Sequence, residues 1–264
     1  MFKVNYHLHS TFSFDGEDSL ANLCEAAIKA GLKEIAVTDH CECNHLDVQP
    51  YNYKQIHTEF LKVQEQFEGR IKLRFGVELG QATQNPEFAE HLLKKARYDV
   101  VLGSLHNLNN KKDFFYLNYN RNNADKIIGL YFQELYELCV WNNFDVLAHM
   151  DYPSRYMIDY GFKYSFKKYR DIIKLILQKL ISTGKALEIN TAGLRTALNR
   201  TIPSQEIIEM YKEIGGYYIT VGTDAHKTEH IKSGIDNAYD LLRDLGFRYI
   251  TVYENRKPLQ YKIN

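Results

Sequence analysis

Short apolar runs alternate with longer segments of mixed polarity along the whole chain. An apolar run of roughly four to eight residues predicts a buried strand, whereas apolar residues every three to four positions predict an amphipathic helix. The predicted strands cover residues 3–9, 34–38, 72–77, 100–104, 145–148, 186–189 and 217–221, followed by a last one at 249–253. The predicted helices lie between them, over residues 20–30, 53–67, 86–95, 128–138, 166–180, 203–211 and 235–245.

The regular order of strand and helix predicts one α/β domain that spans residues 1–264. Strands that alternate with helices form a parallel sheet. Seven or eight such units in 264 residues fit a closed barrel, which typically takes ~250 residues. An open doubly wound sheet instead needs a glycine-rich turn after its first strand. His7-Leu8-His9 occupies that place, so the pattern favours a barrel.

Residues that can bind metal ions follow most of the predicted strands. They are His7, His9, Asp39, His40, Glu78, His106, His149, Asn190, Asp224 and His226. Successive strands deliver them 28 to 43 residues apart, close to the length of one strand–helix unit of a barrel. The carboxyl ends of all strands in such a barrel lie on one face, where barrel enzymes keep their active sites. We therefore expect these side chains to meet there.

Histidines and acids in this arrangement indicate a metal centre. His7 and His9 lie two residues apart on a strand, which puts both imidazoles on one face, and neutral imidazole is the commonest metal ligand. A lone histidine is more often a satisfied core residue. Glu78, however, lies inside an apolar segment, where a carboxylate is costly to bury unless it meets a cation. Asp15, in the loop after the first strand, adds a further oxygen ligand.

The number of candidate ligands exceeds what one ion needs. They are His7, His9, Asp15, His40, Glu78, His106, His149, Asp224 and His226. A catalytic zinc takes about three protein ligands and a water. We therefore expect two or three divalent ions per chain, an arrangement that serves phosphoryl transfer to water.

Composition narrows the class of function. Lys plus Arg and Asp plus Glu number 33 each, so the chain has zero formal net charge and no basic excess for binding nucleic acid. Its four cysteines, Cys24, Cys41, Cys43 and Cys139, indicate no disulfide framework. No apolar run approaches the ~18 residues of a membrane span, and the N-terminus leads directly into a strand. We expect a cytoplasmic protein without membrane or nucleic-acid partners, and the oligomeric state stays open.

Six motifs between residues 7 and 226 resemble the PHP family, named for polymerase and histidinol phosphatase. They are His7-Leu8-His9-Ser10, Thr38-Asp39-His40, Gly76-Val77-Glu78, Gly103-Ser104-Leu105-His106, Ala148-His149-Met150-Asp151 and Gly222-Thr223-Asp224-Ala225-His226. The resemblance implies a distorted TIM-like (β/α)7 barrel, a centre of three metal ions and hydrolysis of phosphoesters. Within the family the chain most resembles the stand-alone histidinol-phosphate phosphatases. Its opening His-x-His-Ser-x-x-Ser-x-Asp-Gly, at residues 7–16, and its closing Asn255-Arg256-Lys257-Pro258 are similar to theirs.

The resemblance also implies which residues hold which ion. The first ion would be held by His7, His9, Glu78 and Asp224. Glu78 would bridge to a second ion, completed by His106 and His149, while the third would be held by Asp15, His40 and His226. Many relatives have histidine at the position of Asp15, so the choice between zinc, manganese and iron stays open.

The expected chemistry starts from a water shared by the two bridged ions. Those ions would lower its pKa, so that a hydroxide attacks phosphorus in line. Glu78, Asp39 and Asp224 are the predicted catalytic residues. Asp39 would act either as an orienting partner of a ligand or as the acid that protonates the leaving group.

Four basic residues in the loops after later strands are predicted to bind the phosphate, since guanidinium groups in particular pair with phosphate oxygens. They are Arg155, Arg195, Lys227 and His230, and the alternative for each is a solvated surface charge. The tyrosine-rich segment 151–164 is predicted to be either a lid over the substrate or part of the barrel rim.

The expected substrate is a small phosphomonoester, L-histidinol phosphate of histidine biosynthesis. Glu42, Asp47 and Asp159 lie in loops from which they could pair with its cationic end. Two alternatives share the metal ligands. A PHP-type phosphodiesterase or exonuclease acting on nucleotides would be favoured by a basic track, and a non-catalytic metal-dependent binding protein by gaps among the ligands. An amidohydrolase barrel normally adds a lysine after a middle strand, and no strand end here supplies one.

Overall fold

The computed structural model describes residues 2–44 and 51–263. Parallel strands form a sheet in which seven positions follow one another in chain order. The strands are β1 (Val4–Asn5), β2 (Glu34–Val37), β3 (His40–Glu42), β4 (Lys72–Gly80), β5 (Val100–Ser104), β6 (Val146–Leu147), β7 (Ala186–Asn190) and β8 (Ile219–Gly222). Each pairs in parallel with the next, except that β2 and β3 both pair with β4. The predicted (β/α)7 barrel is confirmed.

The last strand returns to the first just beyond their regular ends. The backbone N–H of Tyr6 donates to Val221 O at 2.9 Å, and His9 N–H donates to Ala225 O at 2.9 Å. Leu8 and Ala225 form a parallel bridge. These contacts close the ring of strands, and they bring the His-x-His segment beside the segment that carries Asp224 and His226.

β2 and β3 are two parts of one strand in a continuous register. Glu34 lies opposite Lys72, and His40 lies opposite Glu78, so both parts keep the same offset from β4. They are separated only at residues 38–39, where Glu78 N–H faces the carbonyls of both residues at 3.2 Å. β2 ends at Val37, one residue before the predicted end, and the sequence-based prediction did not include β3. The alternation His40-Cys41-Glu42-Cys43, polar on one face and apolar on the other, is the strand signal that it missed.

Amphipathic helices cover the outside of the strands. They are α1 (Leu20–Lys29), α2 (Tyr53–Gln66), α3 (Pro86–Lys95), α4 (Ala124–Trp141), the short α5 (Ser154–Met157), α6 (Phe166–Thr183), α7 (Gln205–Glu213) and α8 (Ile235–Asp244). In α6 the Ser165 side chain caps the first turn, Gly184 ends the helix at φ 67°, and Ile173, Ile176, Leu177 and Leu180 form the buried stripe. Over residues 2–44 and 51–263, no helix is long and apolar enough to span a bilayer.

A C-terminal hairpin closes the end of the barrel opposite the candidate ligands. β9 (Tyr249–Glu254) does not extend the barrel but pairs antiparallel with β10 (Lys257–Lys262), a strand that the sequence pattern did not predict. The turn between them reaches Asp99 and Asp145, the residues just before β5 and β6: Arg256 N–H donates to Asp99 O at 2.8 Å, and Arg256 Nε donates to Asp145 Oδ2 at 2.9 Å. The hairpin therefore lies at the amino ends of the strands.

We expect Arg256→Ala to destabilise the fold. Asp145 is buried, and losing its guanidinium partner leaves a carboxylate with few compensating contacts. The expected loss is roughly 2 kcal/mol, because hydrogen bonds to charged groups contribute about that much. Urea unfolding measures it. Arg248→Ala, an exposed arginine just before the same hairpin, is the matched control, and equal unfolding midpoints for the two variants would contradict the role given to Arg256.

Candidate metal centre

The ends of six strands and one loop bring the nine candidate ligands into one connected group. His7 and His9 follow β1, His40 lies in β3, Glu78 in β4, His106 follows β5, His149 follows β6, and Asp224 and His226 follow β8. Asp15 comes from the loop after β1 and contacts His226, with Oδ2 3.1 Å from Nε2. Apart from Asp15, the candidate ligands thus come from the strands or the residues directly after them, as expected for the carboxyl face of a parallel barrel.

The Glu78 carboxylate lies at the centre of this group and is fully buried. Five histidines place a ring nitrogen within 3.5 Å of it: His149 and His106 at Oε1, at 2.8 and 3.0 Å, and His40, His7 and His9 at Oε2, at 2.9, 3.2 and 3.5 Å. Asp224 approaches from the other side, with Oδ1 3.2 Å from His9 Nε2. One carboxylate therefore joins ligands that come from four different strand positions.

Two of the ligands have strained backbones. His149 has φ 26° and Asp224 has φ 52°, both in the left-handed region that side chains other than glycine rarely adopt. Such conformations typically cost about 1–3 kcal/mol each and persist only where the surrounding structure enforces them. With these backbone conformations, the His149 side chain contacts Glu78 and the Asp224 side chain contacts His9.

The charges in the site are strongly coupled. Burial alone would raise the pKa of Glu78, but the imidazoles of His106, His7 and His40 hold it well below its usual range. Burial alone would lower the pKa of His40, but carboxylates, Glu78 first among them, raise it to about 9. Burial and the neighbouring His40 and His226 hold the pKa of His9 well below its usual value. Glu78 is therefore ionised and surrounded by imidazoles. Divalent ions that bind to such ligands displace protons from them.

The donor atoms fit divalent cations. Several are buried without a hydrogen-bond partner, among them His7 Nε2, His9 Nε2, His226 Nε2 and Glu78 Oε2. Such atoms are costly to bury unless something binds them. Four groups of three residues bring ligand atoms within 4.8 Å of one another: His9, His40 and His226; His7, His9 and Asp224; His7, Glu78 and His149; and His40, Glu42 and His106. Imidazole and carboxylate ligands suit zinc, manganese and iron.

The group around Asp15 is more open than the rest. The Asp15 side chain is 39% exposed and that of His226 is 24% exposed, whereas those of His7, His9 and Glu78 are fully buried. An ion held by Asp15, His40 and His226 would therefore face solvent more than ions beside Glu78.

Asp39 supports the loop after β1. Its Oδ1 accepts from Ser10 N and Ser13 Oγ, both at 2.7 Å, and its Oδ2 accepts from Ser10 Oγ at 2.8 Å. Burial raises its pKa despite these bonds. Ser13 Oγ also lies 3.2 Å from His9 Nδ1. Asp39 thus reaches a candidate ligand through a serine.

Two of the four predicted phosphate-binding residues, Arg155 and Arg195, contact Asp224. Arg155 Nη1 is 3.4 Å from Asp224 Oδ2, and Arg195 Nη2 donates to Asp224 O at 3.2 Å. Arg195 Nη1 is buried without a partner. Burial, with Arg195 and Lys227 nearby, lowers the pKa of His230. Lys227 itself pairs with Glu229 at 3.5 Å.

The tyrosine-rich segment 151–164 forms α5 and a following turn that packs against the rim. Tyr152 is buried, with its ring 4.7 Å from the His149 ring, and its hydroxyl bonds to that of Tyr156 at 2.7 Å. Asp159, predicted as a partner of the substrate's cationic end, is exposed in the turn. Asp47, predicted for the same role, lies outside the described residues.

Two carboxylates contact the ligands in a way that the sequence did not predict: Glu188 was not singled out, and Glu42 was expected to pair with the substrate. Glu188, in β7, lies 2.8 Å from His7 Nδ1, and Glu42, in β3, lies 2.9 Å from His106 Nδ1. Glu42 is therefore engaged by a histidine rather than free for a substrate. Glu188 could have been identified in the same way as Glu78, because it is an acidic residue inside an apolar strand. The contact of Glu42 with a ligand could be predicted only if β3 was recognised as a strand.

Comparison with known proteins identifies the class. The family model described as the PHP domain matches residues 5–192, and the chain belongs to this family. The chain is 32% identical to the probable histidinol-phosphatase of Thermotoga maritima, covering 98% of this chain and 99% of that protein. It is 28% identical to the histidinol-phosphatase of Lactococcus lactis, covering 97% and 96%. The predicted class, a phosphoric monoester hydrolase, is therefore confirmed.

A solved structure agrees over the full length. The crystal structure of histidinol phosphate phosphatase from Lactococcus lactis, complexed with zinc, L-histidinol and phosphate, superposes with a TM-score of 0.84. It is 27% identical and covers 97% of this chain and 98% of that one. Together with the donor groups described above, this supports divalent metal binding by the present chain.

We expect purified protein, reconstituted with manganese or zinc, to hold two or three ions per chain by elemental analysis. Glu78→Gln should lower this content, because a neutral amide replaces the charge that five histidines surround. Glu25→Gln, an exposed carboxylate on α1, is the control. Fewer than two ions in the unsubstituted protein, or unchanged content in Glu78→Gln, would count against the central role of Glu78.

Proposed function

We propose that this chain hydrolyses L-histidinol phosphate to L-histidinol and inorganic phosphate at a centre of two or three divalent ions. The observation that carries the proposal is the buried Glu78 carboxylate, contacted by five histidines at the carboxyl face of the barrel. The full-length similarity to histidinol-phosphatases supports the choice of substrate.

The family resemblance implies which residues would hold each ion, and the contacts among the side chains support these sets. His7, His9, Glu78 and Asp224 would hold the first ion, Glu78, His106 and His149 the second, and Asp15, His40 and His226 the third. Bound divalent ions supply Lewis acidity, which makes water nucleophilic near neutral pH and offsets the charge of the phosphate.

The chain's own residues bind and orient the phosphate beside that centre. Arg155 and Arg195 both contact Asp224 and so lie next to the first group of ligands. The free Nη1 of Arg195 supplies a buried donor for a phosphate oxygen. Guanidinium groups in such positions stabilise the negative charge that spreads over the non-bridging oxygens in the transition state.

Asp39 acts in this proposal by holding the loop rather than by giving up a proton. Both of its oxygens accept hydrogen bonds from Ser10 and Ser13, so the carboxylate is occupied within the loop. Through Ser13 it fixes the orientation of His9. Of the two roles predicted for Asp39, the contacts therefore favour the orienting one.

Arg155→Ala and Arg195→Ala should each weaken inhibition by inorganic phosphate about tenfold, which corresponds to ~1.4 kcal/mol. Metal content should stay intact, because neither arginine is a ligand. Arg170→Ala, on an exposed position of α6, is the control. Phosphate inhibition equal to that of the control in both variants would mean that the two arginines do not bind the phosphate.

The substrate is tested by kcat/KM for L-histidinol phosphate, simple sugar phosphates and single-stranded oligonucleotides under one metal condition. We expect histidinol phosphate to be best, since the chain has zero formal net charge and so no basic excess with which to bind a polynucleotide backbone. If an oligonucleotide or another phosphodiester is the better substrate, the nucleotide phosphodiesterase alternative replaces the proposal.

A further inference from the structure

Two carboxylates outside the set of nine ligands contact two of the histidines at Nδ1, the ring nitrogen that does not face Glu78. Glu188 Oε1 lies 2.8 Å from His7 Nδ1, and Glu42 Oε1 lies 2.9 Å from His106 Nδ1. The Glu188 residue is 1% exposed, and the Glu42 side chain is 13% exposed. His7 and His106 touch opposite oxygens of Glu78, so each carboxylate supports one side of the centre.

These contacts decide which ring nitrogen faces the centre. An ionised carboxylate can only accept hydrogen bonds. Once Nε2 of an imidazole holds a cation, the ring proton is confined to Nδ1, where the carboxylate accepts it. His7 Nε2 and His106 Nε2 are the atoms that face Glu78, at 3.2 and 3.0 Å. Both carboxylates therefore favour the tautomer in which the ligand lone pair points inward.

A glycine makes room for each of these carboxylates. A Cβ on Gly222 would lie 2.2 Å from Glu188 Oε1 and 2.4 Å from His7 Cβ, and a Cβ on Gly80 would lie 2.4 Å from Glu42 Oε2. Neither glycine has a positive φ, so backbone conformation does not require glycine at either position. At Gly80 the nearest atoms that a side chain would meet all belong to the Glu42 carboxylate, whereas at Gly222 a side chain would meet both the Glu188 carboxylate and His7 Cβ.

Glu188 also supports a ligand of the other side. Its Oε2 accepts from His149 N–H at 2.8 Å and from Asn190 Nδ2 at 3.3 Å. The first of these bonds fixes the backbone of the residue that has φ 26°. Glu188 therefore holds the ring of His7 and the strained backbone of His149 at once.

We propose that Glu188 and Glu42 are positioning residues that fix the tautomer and direction of His7 and His106, and that Gly222 and Gly80 are present to seat them. The inference rests on the metal centre of the proposed function but not on the identity of the substrate. Carboxylates that accept from metal-bound histidines typically change metal affinity 10- to 100-fold when they are removed.

Metal affinity in competition with a chelator is the first readout. Glu188→Gln and Glu42→Gln should each weaken zinc binding 10- to 100-fold, while far-ultraviolet circular dichroism stays unchanged. In zinc-loaded protein labelled with 15N-histidine, the Nδ1–H signals of two histidines should shift, one in each variant. Unchanged affinity and unchanged 15N spectra in both folded variants would overturn the proposal.

A double-mutant cycle tests the glycine. Gly80→Ala should weaken zinc binding to the same degree as Glu42→Gln, because the methyl group meets only the end of the flexible Glu42 side chain. In a Glu42→Ala background the same change should have no further effect. An equal loss in both backgrounds would show that Gly80 acts without Glu42, contrary to the proposal.

Gly129→Ala is the matched control for that cycle, since its Cβ would meet only Tyr169, at 3.7 Å. It should leave zinc affinity unchanged. These zinc-binding experiments do not depend on the substrate. If the variants behave as expected but the unsubstituted protein does not hydrolyse histidinol phosphate, the proposed substrate is wrong and the role of the positioning residues stands.

Discussion

The buried charge of Glu78 is the constraint on which the arrangement of the site depends. An ionised carboxylate with no exposure to water costs several kcal/mol unless positive charge or strong donors compensate it. Here five imidazoles surround it, and they come from β3 and the segments after β1, β5 and β6. The ring of strands must therefore close in a single register for the charge to be compensated, so that site and fold depend on one another.

Support for this arrangement extends outward from the ligands. Asp39 holds the loop after β1, while Glu188 and Glu42 stand behind two imidazoles. The strained backbones of His149 and Asp224 raise the free energy of the folded state, and they persist because the packed strands around them enforce these conformations. At the opposite end the hairpin of β9 and β10 covers the amino ends of the strands. Among the candidate ligands, Asp15 and His226 are the most exposed, so the site is most open on their side.

Much of the fold and of the metal centre could be predicted from the sequence, because strands that follow one another along the chain are neighbours in a parallel barrel. An acid within an apolar run, as at Glu78, and histidines repeated at the length of one strand–helix unit are enough to predict a shared face. β3 was missed because it has three residues and follows a two-residue interruption, so its alternation of polar and apolar residues is too short to stand out as a strand. β10 was missed because none of its residues is buried, and such a strand leaves only a weak pattern of apolar positions. The partners of each imidazole depend on side-chain directions, which spacing along the chain does not determine.

Anomalous diffraction from crystals of manganese- or zinc-loaded protein would show whether metal ions bind at Glu78. Data collected above and below the absorption edge of the metal locate each ion without reference to activity. We expect at least two peaks at coordination distance from the Glu78 carboxylate, about 2.0–2.2 Å. One should lie on the side of His7 and Asp224, and the other on the side of His106 and His149. Ions bound only elsewhere, with no peak next to Glu78, would contradict this expectation.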